Sequence, residues 1–249
     1  MKLLRLATTI NSTSAPYNQF SLGFKETIDQ TVCSLFQHDV LIDKNIIGSH
    51  GDGSILKMLK LIKGLVNKNK YDVVHIHSGV TGIIFILAIF PFKLSLLKKT
   101  VFTLHNSWDV LRPRNQFLDF IVMLASRKIC TCGVSSRDSI PRIINYFVGK
   151  KIKAIVNGFD HQRIDSVENK KLNRSHFDKS LKIKIVYVGA LNNTKNQIAL
   201  LEVLKITKMK AEVIFLGDGV NKKTIIDSSK HIPNSSKINF NGVVSRDLA

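Results

Sequence analysis

Two short clusters place histidines where they could do chemistry. YDVVHIHSGVTG puts His75, His77 and Ser78 at the end of an apolar run, and TVFTLHNSWDV puts His105, Asn106 and Ser107 at the end of another. At the carboxyl ends of parallel strands, such side chains project into the crevice where ligands bind. A crevice histidine can orient an acceptor hydroxyl or take its proton. His105 is the stronger candidate because it stands where its strand runs out, whereas His75 also reads as a hydrogen-bonded structural residue. No HxxxH or similar spacing supports a metal site from these three histidines, so none is expected.

A second group suits an anion. KIKIVYVGALNNTKNQIALLEVLKI, from Lys182 to Ile206, reads as a buried strand, Ile183–Val188, ending on Gly189. A polar loop, Ala190–Asn196, follows and carries Lys195, and then a helical run begins. A loop that opens a helix offers unpaired N–H groups and the positive end of the helix dipole. A lysine there adds a point charge, although a solvated loop lysine reads the same way. AEVIFLGDGV ends another strand on Gly217, Asp218 and Gly219, where glycines allow a ligand or a tight turn to come close. Neither GxGxxG nor GxxxxGK[ST] occurs, so no standard dinucleotide or P-loop motif is visible. IVNGFD, Ile155–Asp160, reads as a turn after a strand. ILKMLKLIKGLVNKNK repeats Lys57, Lys60 and Lys63 beside Leu56, Leu59, Ile62 and Leu65. A basic amphipathic helix of this kind can lie on an anionic membrane, or it can be a surface helix with a solvated lysine face.

The elements that position these residues alternate. Short β-branched runs predict strands at Leu3–Thr8, Val40–Ile42, Val73–Ile76, Thr100–Thr103, Lys128–Cys132, Lys153–Val156, Ile183–Val188, Ala211–Leu216 and Ile238–Phe240. Helical spacing predicts helices at Phe24–Gln37, Ile55–Lys68, Thr81–Phe90, Phe117–Ser126, Ser136–Asn145, Ile198–Lys205 and Lys222–Ser229. Alternation of this kind predicts βαβ units, parallel sheets and an α/β class. The polar stretch Asn157–Lys182 separates six strands from three. The expected domains are residues 1–160 and 182–249, with a linker at 161–181.

The chain has 249 residues, is 44% hydrophobic and carries 37 Lys and Arg against 18 Asp and Glu, a net charge of +19. It can bury a core, and it favours anionic partners. The charge is spread along the chain without a zinc finger, helix-turn-helix or aromatic stacking motif, so nucleic acid is not an expected partner. Cys33, Cys130 and Cys132 have no disulfide spacing and read as reduced thiols in a cytoplasmic protein. MKLLRLATTI reads as a first strand, because Arg5 interrupts the apolar run that a signal peptide needs. Pro91 and Lys93 break the most apolar stretch, Gly82–Leu97, well short of a membrane span.

The ordered set YDVVHIHSG, VFTLHNSW, CGVSSRDSI, IVNGFD, IVYVGALNNTKNQIALLEVL, VIFLGDGV and INFNGVVSRDL resembles the family-4 type of GT-B glycosyltransferases. The resemblance implies two Rossmann-like domains facing across a cleft. The donor, a UDP- or GDP-linked sugar, would lie mainly on the C-terminal domain. A glycan or lipid-linked acceptor would lie on the N-terminal one, with INSTSAPYNQFSLGF as a loop facing both. Retention of configuration without a metal or other cofactor is implied, with basic side chains neutralising the leaving diphosphate. Lys195 and Gly189 would then serve the diphosphate, and Gly217, Asp218 and Gly219 the nucleotide. His105 would be catalytic, with His77, Ser78 and Asn106 on the acceptor side. Lys57, Lys60 and Lys63 would face the membrane at its cytoplasmic side.

Two departures stand out. Ala190 occupies the place of a family arginine that contacts the diphosphate, a charge-assisted bond of roughly 1.5–3 kcal/mol. The family's loop with two glutamates flanking seven residues would follow INFNGVV, whereas this sequence ends at Ala249. The second domain is therefore expected to be incomplete, and a non-catalytic transferase-like chain is the alternative to an enzyme.

Overall fold

The computed structural model describes residues 1–10, 28–36, 46–158, 183–208, 210–232 and 236–244. They fall into two compact units, Met1–Asp160 and His161–Ala249. The strand expected at Val40–Ile42, the whole of the expected linker, 161–181, and all of the INSTSAPYNQFSLGF loop after Ile10 lie outside the described residues.

The first unit is built on seven parallel strands: β1 Lys2–Ala7, β2 Asp29–Ser34, β3 Ile46–His50, β4 Val73–Ile76, β5 Thr100–Leu104, β6 Lys128–Thr131 and β7 Ile152–Ala154. Their order is β3-β2-β1-β4-β5-β6-β7. The order reverses between β1 and β4, the switch point at which such sheets open a crevice beyond their carboxyl ends. Helices α1 Ile55–Lys68, α2 Gly79–Ile89, α3 Pro113–Ala125, α4 Val134–Asp138 and α5 Arg142–Val148 provide the crossovers. α1 packs on α2, α2 on α3 and α3 on α5, which makes one helical layer. That is the arrangement expected of right-handed crossovers that all step the same way across a sheet. Leu4, Leu6, Ile76, Phe85, Phe102, Met123 and Ile129 are among the buried side chains between sheet and helices.

Two expectations fail here for physical reasons. Residues 29–34, read as part of a helix from Phe24 to Gln37, form β2 in the interior of the sheet, paired to β1 on one side and β3 on the other. Thr31, Val32, Cys33 and Ser34 are all buried, so both faces are covered and the alternation that would mark a half-exposed strand is absent. Together with β3, this makes seven strands where six were expected. The helix expected over Ser136–Asn145 is two helices, α4 and α5, divided at Pro141. Proline lacks an N–H and its ring collides with the carbonyl four residues back. Ser78 sets the start of α2, where its hydroxyl accepts from the Thr81 N–H at 3.3 Å.

The second unit has three parallel strands, β8 Ile183–Val188, β9 Ala211–Leu216 and β10 Lys237–Gly242, in the order β10-β9-β8. Helices α6 Gln197–Thr207 and α7 Lys222–Ser229 connect them. Leu191, Leu201, Leu204, Val213, Phe215 and Ile225 form its core. β9 is the buried strand. β8, read as buried, pairs on one side only among the described residues and leaves Val186 and Val188 exposed.

Candidate active site

β4 and β5 are neighbours in register, with His75 opposite Val101. The residues that follow each strand therefore meet. His77 Nδ1 and His105 Nε2 are 2.9 Å apart, their rings stacked with centroids at 5.2 Å. Cys132, just beyond β6, brings its Sγ within 3.5 Å of His105 Nδ1. Burial raises the Cys132 thiol above its ordinary pKa, against a hydrogen bond from Asn157 that lowers it. The thiol is thus protonated at neutral pH and shares a hydrogen bond with His105 Nδ1. His105 Nε2 shares another with His77 Nδ1, and the tautomer of the His105 ring sets which side donates in each. Neither ring nitrogen of His105 is left for an acceptor hydroxyl in this arrangement, so His105 can take a proton only by releasing one of these partners.

Burial also keeps the three histidines neutral. His75 is lowered to about 3, by burial first and then by the charges of Arg5 and His105. His77 lies well below its ordinary value, chiefly through burial, with His75, His105 and Arg5 adding to it. His105 is lowered by burial. His75 Nε2 shares a hydrogen bond of 2.7 Å with Thr103 Oγ1, in keeping with a structural role. Arg5, on β1 behind this row, donates from Nε to Gln30 Oε1 at 2.9 Å. Among the described residues no cluster of His, Cys, Asp and Glu is placed to hold a metal ion.

His77 and His105 open onto a crevice of about 230 Å³, lined among others by Thr8, Ser78, Asn106, Arg114 and Asp119. Thr8 Oγ1 and Ser78 Oγ share a hydrogen bond at 2.7 Å, which ties the end of β1 to the start of α2. Asn106 is exposed, and its carbonyl accepts from Ser136 Oγ at 3.1 Å. The sequence reading missed Asp119 and Arg114. Asp119 is buried on α3 and accepts from the Gly79 N–H, yet burial still raises its carboxyl to about 6. A β-carbon on Gly79 would lie 2.3 Å from Asp119 Oδ1, so glycine is what admits the carboxylate to the start of α2. An aspartate within a helical run carries no local mark of such a role.

In the second unit the two glycine-bearing loops are stitched together. The Leu191 N–H donates to the Asp218 carbonyl at 3.0 Å, and the Asn221 N–H to the Leu191 carbonyl at 3.0 Å. A β-carbon on Gly217 would stand 2.0 Å from the Gly189 carbonyl oxygen, and one on Gly219 would stand 2.4 Å from that of Leu191. The close approach at both positions is thus to the neighbouring loop. Gly189, at φ +146°, leaves room on the side where the Lys195 stem passes at 3.8 Å. The Lys195 carbonyl accepts from the Tyr187 hydroxyl, and its N–H is within 3.1 Å of Asn192 Oδ1. Asn196, in the left-handed region, leads into α6 with no side-chain cap. The Ala199 N–H turns back to the Asn196 carbonyl at 3.2 Å, and no cap side chain covers the Gln197 and Ile198 N–H groups at the start of α6, the end of a helix that suits an anion. Gln197, also missed, is buried and donates from Nε2 to the Ala190 carbonyl at 2.9 Å, which fixes the loop at the position where an arginine was expected. Asp218 is exposed and is held below its ordinary pKa by hydrogen bonds from Lys222 and from the Gly219 N–H.

α1 uses the apolar stripe Met58, Ile62 and Val66 in the core, and presents outward its lysines together with Ile55 and Leu56 of its first turn. Lys57 pairs with Asp52, and Lys60 and Lys63 are exposed. No helix among the described residues is long and apolar enough to cross a membrane.

The profile of Glycosyltransferase Family 4 matches residues 36–163, just over half of the chain. An uncharacterized 41.2 kDa protein in the cps region of Klebsiella pneumoniae is 27% identical over 176 residues, 68% of this chain and 49% of that protein. The capsular polysaccharide biosynthesis glycosyltransferase CapH of Staphylococcus aureus is 28% identical over 171 residues, 65% of this chain and 43% of CapH. The chain thus spans less than half the length of these curated relatives. Among solved structures, Anabaena Alr3699/HepE in complex with UDP and glucose superposes with a TM-score of 0.68 at 15% identity, over 99% of this chain and 70% of that one. The α/β fold with parallel sheets is of the GT-B type, and the chain belongs to Glycosyltransferase Family 4.

Proposed function

We propose that this chain carries the acceptor unit and part of the donor unit of a transferase that moves a sugar from a nucleotide-diphosphate sugar to a glycan or lipid-linked acceptor in surface polysaccharide synthesis. The observation that carries the reading is the β8–α6 loop. Gly189 leaves space, the Lys195 stem runs beside it, and the uncapped start of α6 supplies N–H groups to an anion of the size of a diphosphate. The capsular relative supports the polysaccharide setting, and the UDP-bound structural relative favours UDP over GDP. Retention of configuration and neutralisation of the leaving diphosphate by cationic side chains complete the reading. His105, held neutral between His77 and Cys132, meets the acceptor by exchanging one of these partners for its hydroxyl, beside Ser78 and Asn106. An anionic membrane surface at the cytoplasmic face belongs to the same reading. Ala190, in place of a cation, favours a second reading, a transferase-like chain without activity.

A titration of UDP against the wild type and Lys195→Ala tests the donor role. Loss of one charge-assisted contact weakens binding by about tenfold or more. Equal affinities would remove Lys195 from the site. Absence of UDP binding in the wild type would favour the inactive reading.

A further inference from the structure

Two helices of the first unit carry an apolar stripe that points away from the core. On α3 the inward side holds Val122 and Met123, both fully buried. Phe117, Phe120, Ile121 and Leu124 form a second line at i, i+3, i+4 and i+7, one face of a helix. Phe117 is 64% and Leu124 43% exposed. On α5, Ile143, Tyr146 and Phe147 stand at i, i+3 and i+4 and are 72%, 85% and 58% exposed. The rings of Phe120 and Phe147 meet edge-on at 6.3 Å, and those of Tyr146 and Phe147 at 5.3 Å, so the two stripes make one surface. Single exposed apolar residues are ordinary, whereas a continuous patch over two helices marks a contact.

The rim of this patch is basic. Between residues 112 and 151 the chain has eight Lys and Arg and two carboxylates. Asp119 is buried, and Asp138 is paired with Arg137 at 2.9 Å. Arg142 opens α5, and Lys151 donates to the Leu124 carbonyl at 2.7 Å. Exposed aromatic and aliphatic side chains bordered by cations, with no unpaired carboxylate from this segment, match the two demands of an anionic bilayer. Aromatic rings settle at headgroup depth, and each nearby Lys or Arg adds attraction to anionic lipid. A second copy of a chain with net charge +19 would bring like charges together across the same rim.

We propose that the outward face of α3 and α5 docks on an anionic lipid bilayer. The proposal rests on the membrane part of the reading above and moves the contact from α1, whose exposed apolar side chains are Ile55 and Leu56 of its first turn, to a surface where exposed apolar side chains run over two helices. Arg114, at the start of α3, also lines the crevice beside His105, so a membrane at this face lies next to the crevice mouth. A lipid-linked acceptor would be presented there.

The test is co-sedimentation of the purified chain with vesicles of phosphatidylcholine, alone or mixed with phosphatidylglycerol. Wild type, Tyr146→Ser/Phe147→Ser and Lys60→Glu/Lys63→Glu are compared, with thermal melts confirming that each is folded. The wild type is expected to partition onto the anionic vesicles. The aromatic variant is expected to lose at least about tenfold in partitioning, and the α1 variant about threefold or less. A wild type that stays in solution with both vesicle types overturns the proposal. An aromatic variant that binds like the wild type overturns it as well, and an additional loss in the α1 variant would move the contact to α1. A wild-type dimer that the aromatic substitutions return to monomer makes the face an interface between copies instead. UDP binding is read on the same preparations. Its absence with vesicle binding intact contradicts the transferase reading and leaves this surface standing.

Discussion

Acidification should destabilise the first unit through its buried histidines. His75 is lowered to about 3 in the folded protein and His77 well below its ordinary value, against 6.5 for a free imidazole. Below pH 6.5 the unfolded chain binds protons at these positions and the folded one does not. Their contribution to stability is therefore complete above about pH 6.5 and is lost as the pH falls towards the folded values. From pH 7 to pH 5 His75 costs about 2 kcal/mol, and His77 adds a loss of the same sign. Asp119 acts in the opposite sense. Its carboxyl is raised to about 6, so the folded state gains protons first, and over the same interval it returns about 1 kcal/mol. His75 and Asp119 together leave a net loss of about 1 kcal/mol, and His77 adds to it. Trp108, the one tryptophan, is buried in this unit and reports its unfolding. Urea titrations followed by tryptophan fluorescence at pH 7, 6 and 5 give the difference directly. His75→Gln should cut the loss by about 2 kcal/mol, the part that His75 contributes. A wild-type midpoint that does not move between pH 7 and pH 5 would refute the reasoning, because buried neutral imidazoles cannot then be present.

Other substitutions probe the two loops. Gly217→Ala places a methyl group 2.0 Å from the Gly189 carbonyl at a backbone φ of +141°. Overpacking and strain together should cost about 2–4 kcal/mol, visible as faster hydrogen exchange in β8 and β9. Exchange at the wild-type rate would show that the loops part without cost. Ser78→Ala removes the cap of α2 and the bond to Thr8, and should lower the stability of the first unit by about 1 kcal/mol in the same fluorescence assay.

Much of this architecture was legible in the sequence because its signals are local. β8 and β9 carry β-branched runs that end on glycine, and Ile183–Val188 and Ala211–Leu216 were read with the boundaries they have. Both histidine clusters were read as projecting into the crevice, and His77 and His105 meet there because β4 and β5, like most consecutive βαβ strands, are neighbours. The misreadings have non-local causes. Asp29–Ser34 has little to distinguish it from a helical segment until β1 and β3 flank it. The engagement of both His105 nitrogens depends on His77, 28 residues away, and Cys132, 27 away, and no spacing rule connects them. Gly217 and Gly219 read as room for a ligand or a turn, and the structure fills that room with the backbone of Gly189 and Leu191. The α3–α5 patch was present in the sequence as two helical stripes, but which side of each helix faces the sheet is decided by packing.

The most direct test of the central claim is a thermal melt of the chain with UDP, GDP, ADP and their sugars. A ligand that binds the folded state alone must raise the midpoint, by an amount that grows with its concentration over its Kd. The account expects UDP and a UDP-sugar to raise it, and Lys195→Ala to reduce the shift. A midpoint unmoved by every nucleotide would contradict the claim that the β8–α6 loop receives a donor diphosphate.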